Sequence, residues 1–364
     1  MKRITVRLKG RPYDIVIGRG VLKNTGALLK GLRIGRDAVI VTNSRLKRLF
    51  GGVLKRSLVR NSFTAHFETV PDSEKAKSSA VAMNLIARIA EYDSRKDVFV
   101  IALGGGVVGD LAGFAASIYK RGVNLVQIPT TLLAQVDSAI GGKTAIDLPA
   151  AKNMAGVFYQ PRIVISDITL VSRLAKRQLK NGLAEIIKYG VIKDKRLFEF
   201  LESEYKKILS CNENALEFVV ERSSRIKARI VEEDEFDKKG SRVILNFGHT
   251  IGHAIEAATS YSGRYSHGEA VAAGMVAASG IALKLKMIRI DEAERIIRLI
   301  KRCGLPTAVS GLNSSNIYRS LLHDKKFVGR FNRFVLPAAI GRVKTVRGVP
   351  EGIVKKAIGT ILIK

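Results

Sequence analysis

The sequence predicts an α/β domain, with a mostly parallel sheet covered by helices, followed by a domain that is helical throughout. Three observations carry this. Up to about residue 174, short apolar β-branched runs alternate with stretches of helical period, the pattern of a buried parallel sheet. Beyond Leu174 those runs give way to successive amphipathic stretches of helical length. The 364 residues are also too many for one ordinary core and enough for two. The expected division is 1–174 and 175–364.

The elements follow in order. Ile4, Val6 and Leu8 alternate with polar residues, and Ile15 and Ile17 follow at the same spacing of two after the turn Gly10-Arg11-Pro12, which predicts a hairpin. Apolar runs at Ala38–Thr42, Phe63–Val70, Val98–Leu103, Leu125–Ile128 and Ile163–Ser166 read as strands, with a helix at Glu74–Tyr92. The second half reads as helices at Gln178–Lys193, Lys195–Leu209, Asn214–Glu233, His249–Ala258, Glu269–Lys286 and Asp291–Cys303. One short run, Arg333–Leu336, reads as a further strand. No internal repeat or low-complexity segment occurs.

Composition narrows the function. With 46% hydrophobic residues and 8 prolines, the chain has enough apolar material to fill cores. Its two cysteines, Cys211 and Cys303, have no disulfide or metal-ligand spacing and are expected reduced and buried. The start MKRITVRLKG lacks an apolar signal core, and Ala270–Leu285 is Ala/Gly-rich and too short to span a bilayer, so no membrane role and a cytoplasmic place are expected. The net charge of +30 comes from 62 Lys and Arg against 32 Asp and Glu. These charges are scattered, without basic runs, interleaved aromatic residues or any Trp, which argues against a specific nucleic-acid partner and suits an enzyme acting on anions.

The strand Val98–Leu103 leads into Gly104-Gly105-Gly106-Val107-Val108-Gly109-Asp110, so Gly104, Gly106 and Gly109 meet the GxGxxG spacing between a strand and a helix. Glycines there let the backbone approach a pyrophosphate, and the N–H groups opening the helix point at its charge. The standard fingerprint has an acidic residue about 20 positions later for the adenosine ribose. None is found here, and the end of an earlier strand, Val41-Thr42-Asn43, is the natural substitute. A second turn, Pro129 to Ala134, adds the hydroxyls of Thr130 and Thr131.

Three of the five histidines, His249, His253 and His267, fall within nineteen residues. His249 and His253 are four apart, one helical turn on a shared face. Two imidazoles and one carboxylate form a common catalytic zinc set that leaves positions for substrate oxygens. No glutamate follows His249, so this is not the HExxH protease motif. Glu185 stands out as the carboxylate, a charge among small and apolar residues in Gly182-Leu183-Ala184-Glu185-Ile186-Ile187-Lys188.

The segments GGGVVGDLAGFAAS, YKRGVNLVQIPTTLLAQVDSAIGGKTAID, KNMAGVFYQP, GLAEIIKYG, RVILNFGHTIGHAIE, SHGEAVAAGM and DKK before RFVLP, in this order, resemble the 3-dehydroquinate synthases along nearly the whole chain. The resemblance implies an α/β N-terminal Rossmann-like domain plus an all-α C-terminal domain, a homodimer, and NAD and Zn2+ or Co2+ meeting between the domains. It implies Glu185, His249 and His267 as metal ligands and His253 as a proton-transfer residue. It implies substrate contacts at Asp137, Lys143, Lys152, Asn153, Lys188, Lys227, Arg242, Asn246 and Lys325 or Lys326, with Arg121 lent across the dimer. NAD contacts are implied at Asn43, Glu74, Lys77, Gly104, Gly105, Gly106, Gly109, Asp110, Thr130, Thr131 and Leu133, and shared at Asp137, Lys143 and Lys152.

The implied reaction oxidises carbon 5 of a sugar-acid phosphate by hydride transfer to NAD, eliminates phosphate, returns the hydride and closes the ring by an intramolecular aldol step. A substrate with a carboxylate and a phosphate needs several cations to be desolvated, which suits the lysines in this set. Two departures stand out. Asn43 replaces an aspartate common in the family, from which weaker NAD binding or tolerance of a 2′-phosphate is expected, and the interval from His249 to His267 is lengthened at Tyr261–Tyr265. Rival readings are another sugar-phosphate cyclase and a metal-dependent polyol or glycerol-1-phosphate dehydrogenase.

Overall fold

The computed structural model describes residues 1–148, 151–322 and 332–363. The chain divides into two compact units, Met1–Leu174 with Leu216–Phe236, and Ala175–Ala215 with Asp237–Lys364.

The first unit is built on a seven-stranded sheet. Its strands are β1 (Lys2–Val6), β2 (Tyr13–Gly18), β3 (Asp37–Thr42), β4 (Thr64–Thr69), β5 (Val98–Gly104), β6 (Leu125–Pro129) and, after the separate antiparallel hairpin of β7 (Lys143–Leu148) and β8 (Ala151–Phe158), β9 (Ile163–Asp167). The order is β1-β2-β9-β6-β5-β3-β4, and only β1 runs antiparallel. Strands β5, β6 and β9 are buried at every residue, as the unbroken apolar runs require of strands covered on both faces. One core lies under Val16, Ile40, Phe99 and Ile101. The other, under Val39, Val100 and Ala102, is closed by helices α1 (Ser79–Tyr92) and α2 (Gly106–Ile118). The chain leaves β3 toward β4 on one side and β5 toward β6 on the other. Their carboxyl ends therefore flank a switch point, where an open α/β sheet leaves a crevice for ligands.

The second unit contains α3 (Lys176–Lys193) and α4 (Lys195–Leu209), and after α5 (Glu213–Glu233) it continues with α6 (His249–Ala258), α7 (His267–Lys284) and α8 (Ile290–Arg302). Short two-stranded sheets accompany the helices: β10 (Val309–Ser310) with β13 (Leu362–Ile363), and β11 (Arg333–Ala339) with β12 (Arg342–Arg347). Among the described residues, the expected all-helical character is modified by these short sheets. Helix α5 departs from the expected division, because Leu216–Phe236 belongs to the first unit. Its buried face, Leu216, Val219, Val220 and Ile226, packs within that unit, where Glu232 accepts the Arg7 N–H at 2.7 Å and Glu235, just past the helix, pairs with Arg11 at 3.1 Å. Helical periodicity specifies an apolar face but not the core that receives it. Cys303 is buried as expected, whereas Cys211 is only half-buried. Among the described residues, no helix is long and apolar enough to cross a membrane.

Candidate active site

The glycine loop joins β5 to α2 at the switch point. Gly105 caps α2, and the Thr130 N–H donates to Gly104 O at 2.9 Å, tying the loop to the turn after β6. Gly104 and Gly109 also serve packing, since an added Cβ would lie 2.4 Å from Val108 Cβ at the first and 3.0 Å from Gln127 Oε1 at the second. Thr131 Oγ accepts the Ala134 N–H at 3.1 Å and leaves Leu133 half-buried nearby in sequence. Asn43, just past β3, is buried, with Oδ1 accepting the Leu46 N–H at 2.8 Å and Nδ2 donating to Asp72 Oδ1 at 2.7 Å. Asp72, a carboxylate the sequence reading passed over, thus stands where the missing acidic partner of a ribose was sought. Its signal was its place just after a parallel strand neighbouring β3.

A network of implied contacts lies beside this loop. Lys77 donates to Asp110 Oδ2 at 2.8 Å and to Asn153 Oδ1, and it lies 3.9 Å from Glu74, which is 3.7 Å from Lys152. Burial raises the Asp110 carboxyl to about 6 although the Lys77 ammonium pulls it down. Asn153 holds a left-handed φ of 55°. Lys227 donates to both Asp137 Oδ1, at 2.6 Å, and Asp137 O, at 2.7 Å. Lys143 is exposed at the start of β7, 5.8 Å from the Phe158 ring.

The second unit brings Glu185, His249 and His267 together from three helices, with ligand atoms all within 4.8 Å of one another. The apolar run of α3 buries Glu185 completely. Gly248, at φ 78°, starts α6, and an added Cβ would lie 2.5 Å from Met275 Cγ, so glycine is what lets His249 enter at this angle. Glu185 Oε1 lies 3.4 Å from His249 Nε2 and 3.5 Å from His267 Nε2. Ligands about 2.1 Å from a tetrahedral zinc are separated by about 3.4 Å, so the spacing fits an ion.

Proton placement supports the same fit. His249 Nδ1 lies 3.1 Å from Phe247 O, and a carbonyl only accepts, so Nδ1–H donates and Nε2 keeps its lone pair. Burial holds His249 well below its usual range despite Glu185, with Lys188 and the other imidazoles adding to the effect. A neutral lone pair therefore faces a carboxylate, an arrangement that a cation between them relieves. Burial disfavours charge on Glu185, yet the Lys188 ammonium and the imidazoles keep its carboxyl well below the ordinary range. Glu185 Oε2 lies against the Lys188 ammonium, whereas Oε1 faces both imidazoles and accepts no hydrogen bond, so Oε1 is the oxygen open to a metal.

His267 Nδ1 donates to Glu256 Oε2 at 3.2 Å, which turns its Nε2 toward Glu185. Burial opposes charge on His267, but Glu185 and Glu256 together lift its imidazole to about 10. Glu256, the last residue of the segment RVILNFGHTIGHAIE, is a second residue outside the expected site set. His253, one turn after His249, groups with Glu256 and His267 and lies 5.5 Å from His249 ring to ring. Arg242 is buried on the turn Ser241–Asn246 that leads into Phe247, with Asn246 at its end. Arg121 is exposed in the first unit at φ 63°. Lys325 and Lys326 lie outside the described residues.

Residues 67–181 match the family model described as 3-dehydroquinate synthase N-terminal, and residues 182–327 match 3-dehydroquinate synthase C-terminal. The 3-dehydroquinate synthase of Pelotomaculum thermopropionicum is 44% identical over 352 residues, covering 96% of this chain and 94% of that protein. Among solved structures, 2-deoxy-scyllo-inosose synthase complexed with carbaglucose-6-phosphate, NAD+ and Co2+ aligns with a TM-score of 0.89 at 25% identity, over 98% of this chain and 99% of that one. The 2-epi-5-epi-valiolone synthase of Streptomyces hygroscopicus subsp. jinggangensis, with NAD+ and Zn2+ bound, aligns with a TM-score of 0.88 at 27% identity, over 98% of each chain.

Proposed function

The chain belongs to the 3-dehydroquinate synthase family, and from that membership we infer that it converts 3-deoxy-D-arabino-heptulosonate 7-phosphate into 3-dehydroquinate and phosphate. The observation that carries this reading is the match of 44% over nearly both full lengths, against 25% and 27% for the inosose and valiolone synthases. The cofactors are NAD and a zinc or cobalt ion, as the bound groups of those two synthases support. When bound, NAD supplies a hydride acceptor that is regenerated in each cycle, and the ion supplies polarisation of substrate oxygens.

The protein's own residues do the rest. The loop Gly104–Gly109 and the N-terminus of α2 receive the pyrophosphate, and Asn43 with Asp72 meets the adenosine ribose. Glu74, Lys77, Asp110, Thr130, Thr131 and Leu133 complete that cradle. Glu185, His249 and His267 hold the ion. Lys143, Lys152, Lys188, Lys227 and Arg242 neutralise the carboxylate and phosphate of the substrate, with Asn153 and Asn246 as hydrogen-bonding partners. Asp137 holds the Lys227 ammonium at its own carboxylate and carbonyl. His253 moves a proton at a ring nitrogen, with the Glu256–His267 pair beside it. Lys325 and Lys326 enter from the sequence alone.

The assembly we propose is a homodimer in which Arg121 serves the neighbouring copy. It stands after Lys120 in a left-handed turn, and the same unit exposes the apolar Ile118, Met154 and Val157. Analytical ultracentrifugation showing a monomer at micromolar concentration would remove that assembly. The substrate assignment is tested by phosphate release from heptulosonate 7-phosphate, glucose 6-phosphate and sedoheptulose 7-phosphate in parallel. Turnover of the first alone is expected. Preference for either of the others would move the chain to a different cyclase reaction, and lasting NADH formation from a polyol would make it a dehydrogenase.

A further inference from the structure

We propose that Asn181 is a positioning residue of the metal centre, whose side-chain oxygen pins both sequence neighbours of His267 and thereby fixes that imidazole against Glu185. The proposal rests on the reading of Glu185, His249 and His267 as ligands. Asn181 precedes Glu185 by four residues on α3, so the two share a face of the helix. Its Oδ1 accepts from Ser266 Oγ at 2.6 Å and from the Gly268 N–H at 3.1 Å. Because an N–H only donates, the Gly268 contact settles which end of the amide faces α7.

His267 is the first residue of α7, where the intrahelical ladder does not yet satisfy the N–H groups. The bonds from Asn181 replace part of that missing hold on either side of the ligand. Gly268 makes the approach possible, since a Cβ there would lie 2.6 Å from Asn181 Cα. One turn earlier on the same face, Arg177 donates to Glu269 Oε2 from Nε at 3.1 Å and from Nη2 at 2.7 Å. It also donates to the carbonyls of Gly263 at 3.0 Å and Arg264 at 2.8 Å. The face Arg177, Asn181, Glu185 thus grips the start of α7 twice before it reaches the ligand carboxylate. A metal site tolerates departures of about 0.2 Å in its bond lengths, so this grip acts on affinity as well as on folding.

The test uses the full chain, stripped of metal, with substitutions Asn181→Ala, Asn181→Asp, Ser266→Ala and His267→Ala. Zn2+ affinity is read by competition with a chromogenic chelator, coordination by the visible spectrum of bound Co2+, and folding by the melting temperature without metal. Asn181→Ala should weaken Zn2+ about tenfold, the lower end of outer-shell losses, and alter the Co2+ spectrum with only a small change in melting. Ser266→Ala, which removes one of the two bonds, should weaken Zn2+ less, and it serves if Asn181→Ala does not fold. Asn181→Asp keeps an acceptor oxygen in place and should restore most of the affinity. Unchanged affinity and spectrum in Asn181→Ala, or a loss that Asn181→Asp does not restore, would overturn the proposal. If His267→Ala leaves Zn2+ binding intact, the ligand assignment itself fails; if His267→Ala abolishes binding while Asn181→Ala does not, only the positioning role fails.

Discussion

Divalent-metal binding should tighten about tenfold for each pH unit between roughly pH 7 and 9, and one residue sets that slope. Without metal, His267 carries a proton throughout this range, because Glu185 and Glu256 raise its imidazole to about 10 against the effect of burial. His249 is held neutral and Glu185 ionised over the same range. An ion needs lone pairs from all three, so one proton has to leave, and its deprotonated fraction rises tenfold per unit until the pH nears that value. The stability of the metal-free protein has the opposite sign. An imidazole raised above its unfolded value contributes stability that is full below about pH 6.5 and is lost as pH rises through about 10. The assay is chelator competition at several pH values, with proton release followed in weak buffer at pH 8. One proton per ion is expected. Glu256→Gln removes one of the two carboxylates and should flatten the profile at its upper end. An affinity independent of pH, with no proton released, would refute the assigned protonation and the place of His267 in the site.

The ribose corner gives a second expectation. Asp72→Ala should weaken NAD roughly tenfold, the loss of one charge-assisted hydrogen bond, and should improve NADP, since the carboxylate beside Asn43 would repel a 2′-phosphate. Calorimetry showing unchanged preference would remove Asp72 from that contact. Lys188 is buried against Glu185, and Lys188→Met should destabilise the metal-free protein by about 3 kcal/mol in urea titrations, with Zn2+ recovering part of the loss. A loss identical with and without Zn2+ would separate the pair from the ion. Gly248→Ala combines a left-handed φ with a crowded Cβ, so it should cost about 2 kcal/mol or more and weaken Zn2+ as well; affinity equal to the parent would show that His249 does not depend on this turn.

Much of this was legible from residue order. Unbroken apolar runs located the buried strands, and the spacing of His249 from His253 located a shared helical face. The charge of Glu185 among the apolar residues of its helix was visible as well, since a buried carboxylate demands partners. What escaped was set by contacts remote in sequence. The hairpin β7–β8 has weak alternation, with Lys143, Thr144, Asp147, Lys152 and Asn153 set among small residues, so its pairing is unmarked locally. Helix α5 shows an apolar face but not its destination. Asp72 and Glu256 are ordinary acidic residues in the sequence, and only the places of Asn43 and His267 give them a role. Asn181 looks like a poor helix former until the start of α7 is laid against it.

The most direct measurement is phosphate release from 3-deoxy-D-arabino-heptulosonate 7-phosphate by the zinc-reconstituted protein with NAD far below substrate. Many phosphates released per NAD, without accumulation of NADH, are expected of a hydride lent and returned. Release that halts after one equivalent of NAD, with NADH left behind, or no release at all, would contradict the account.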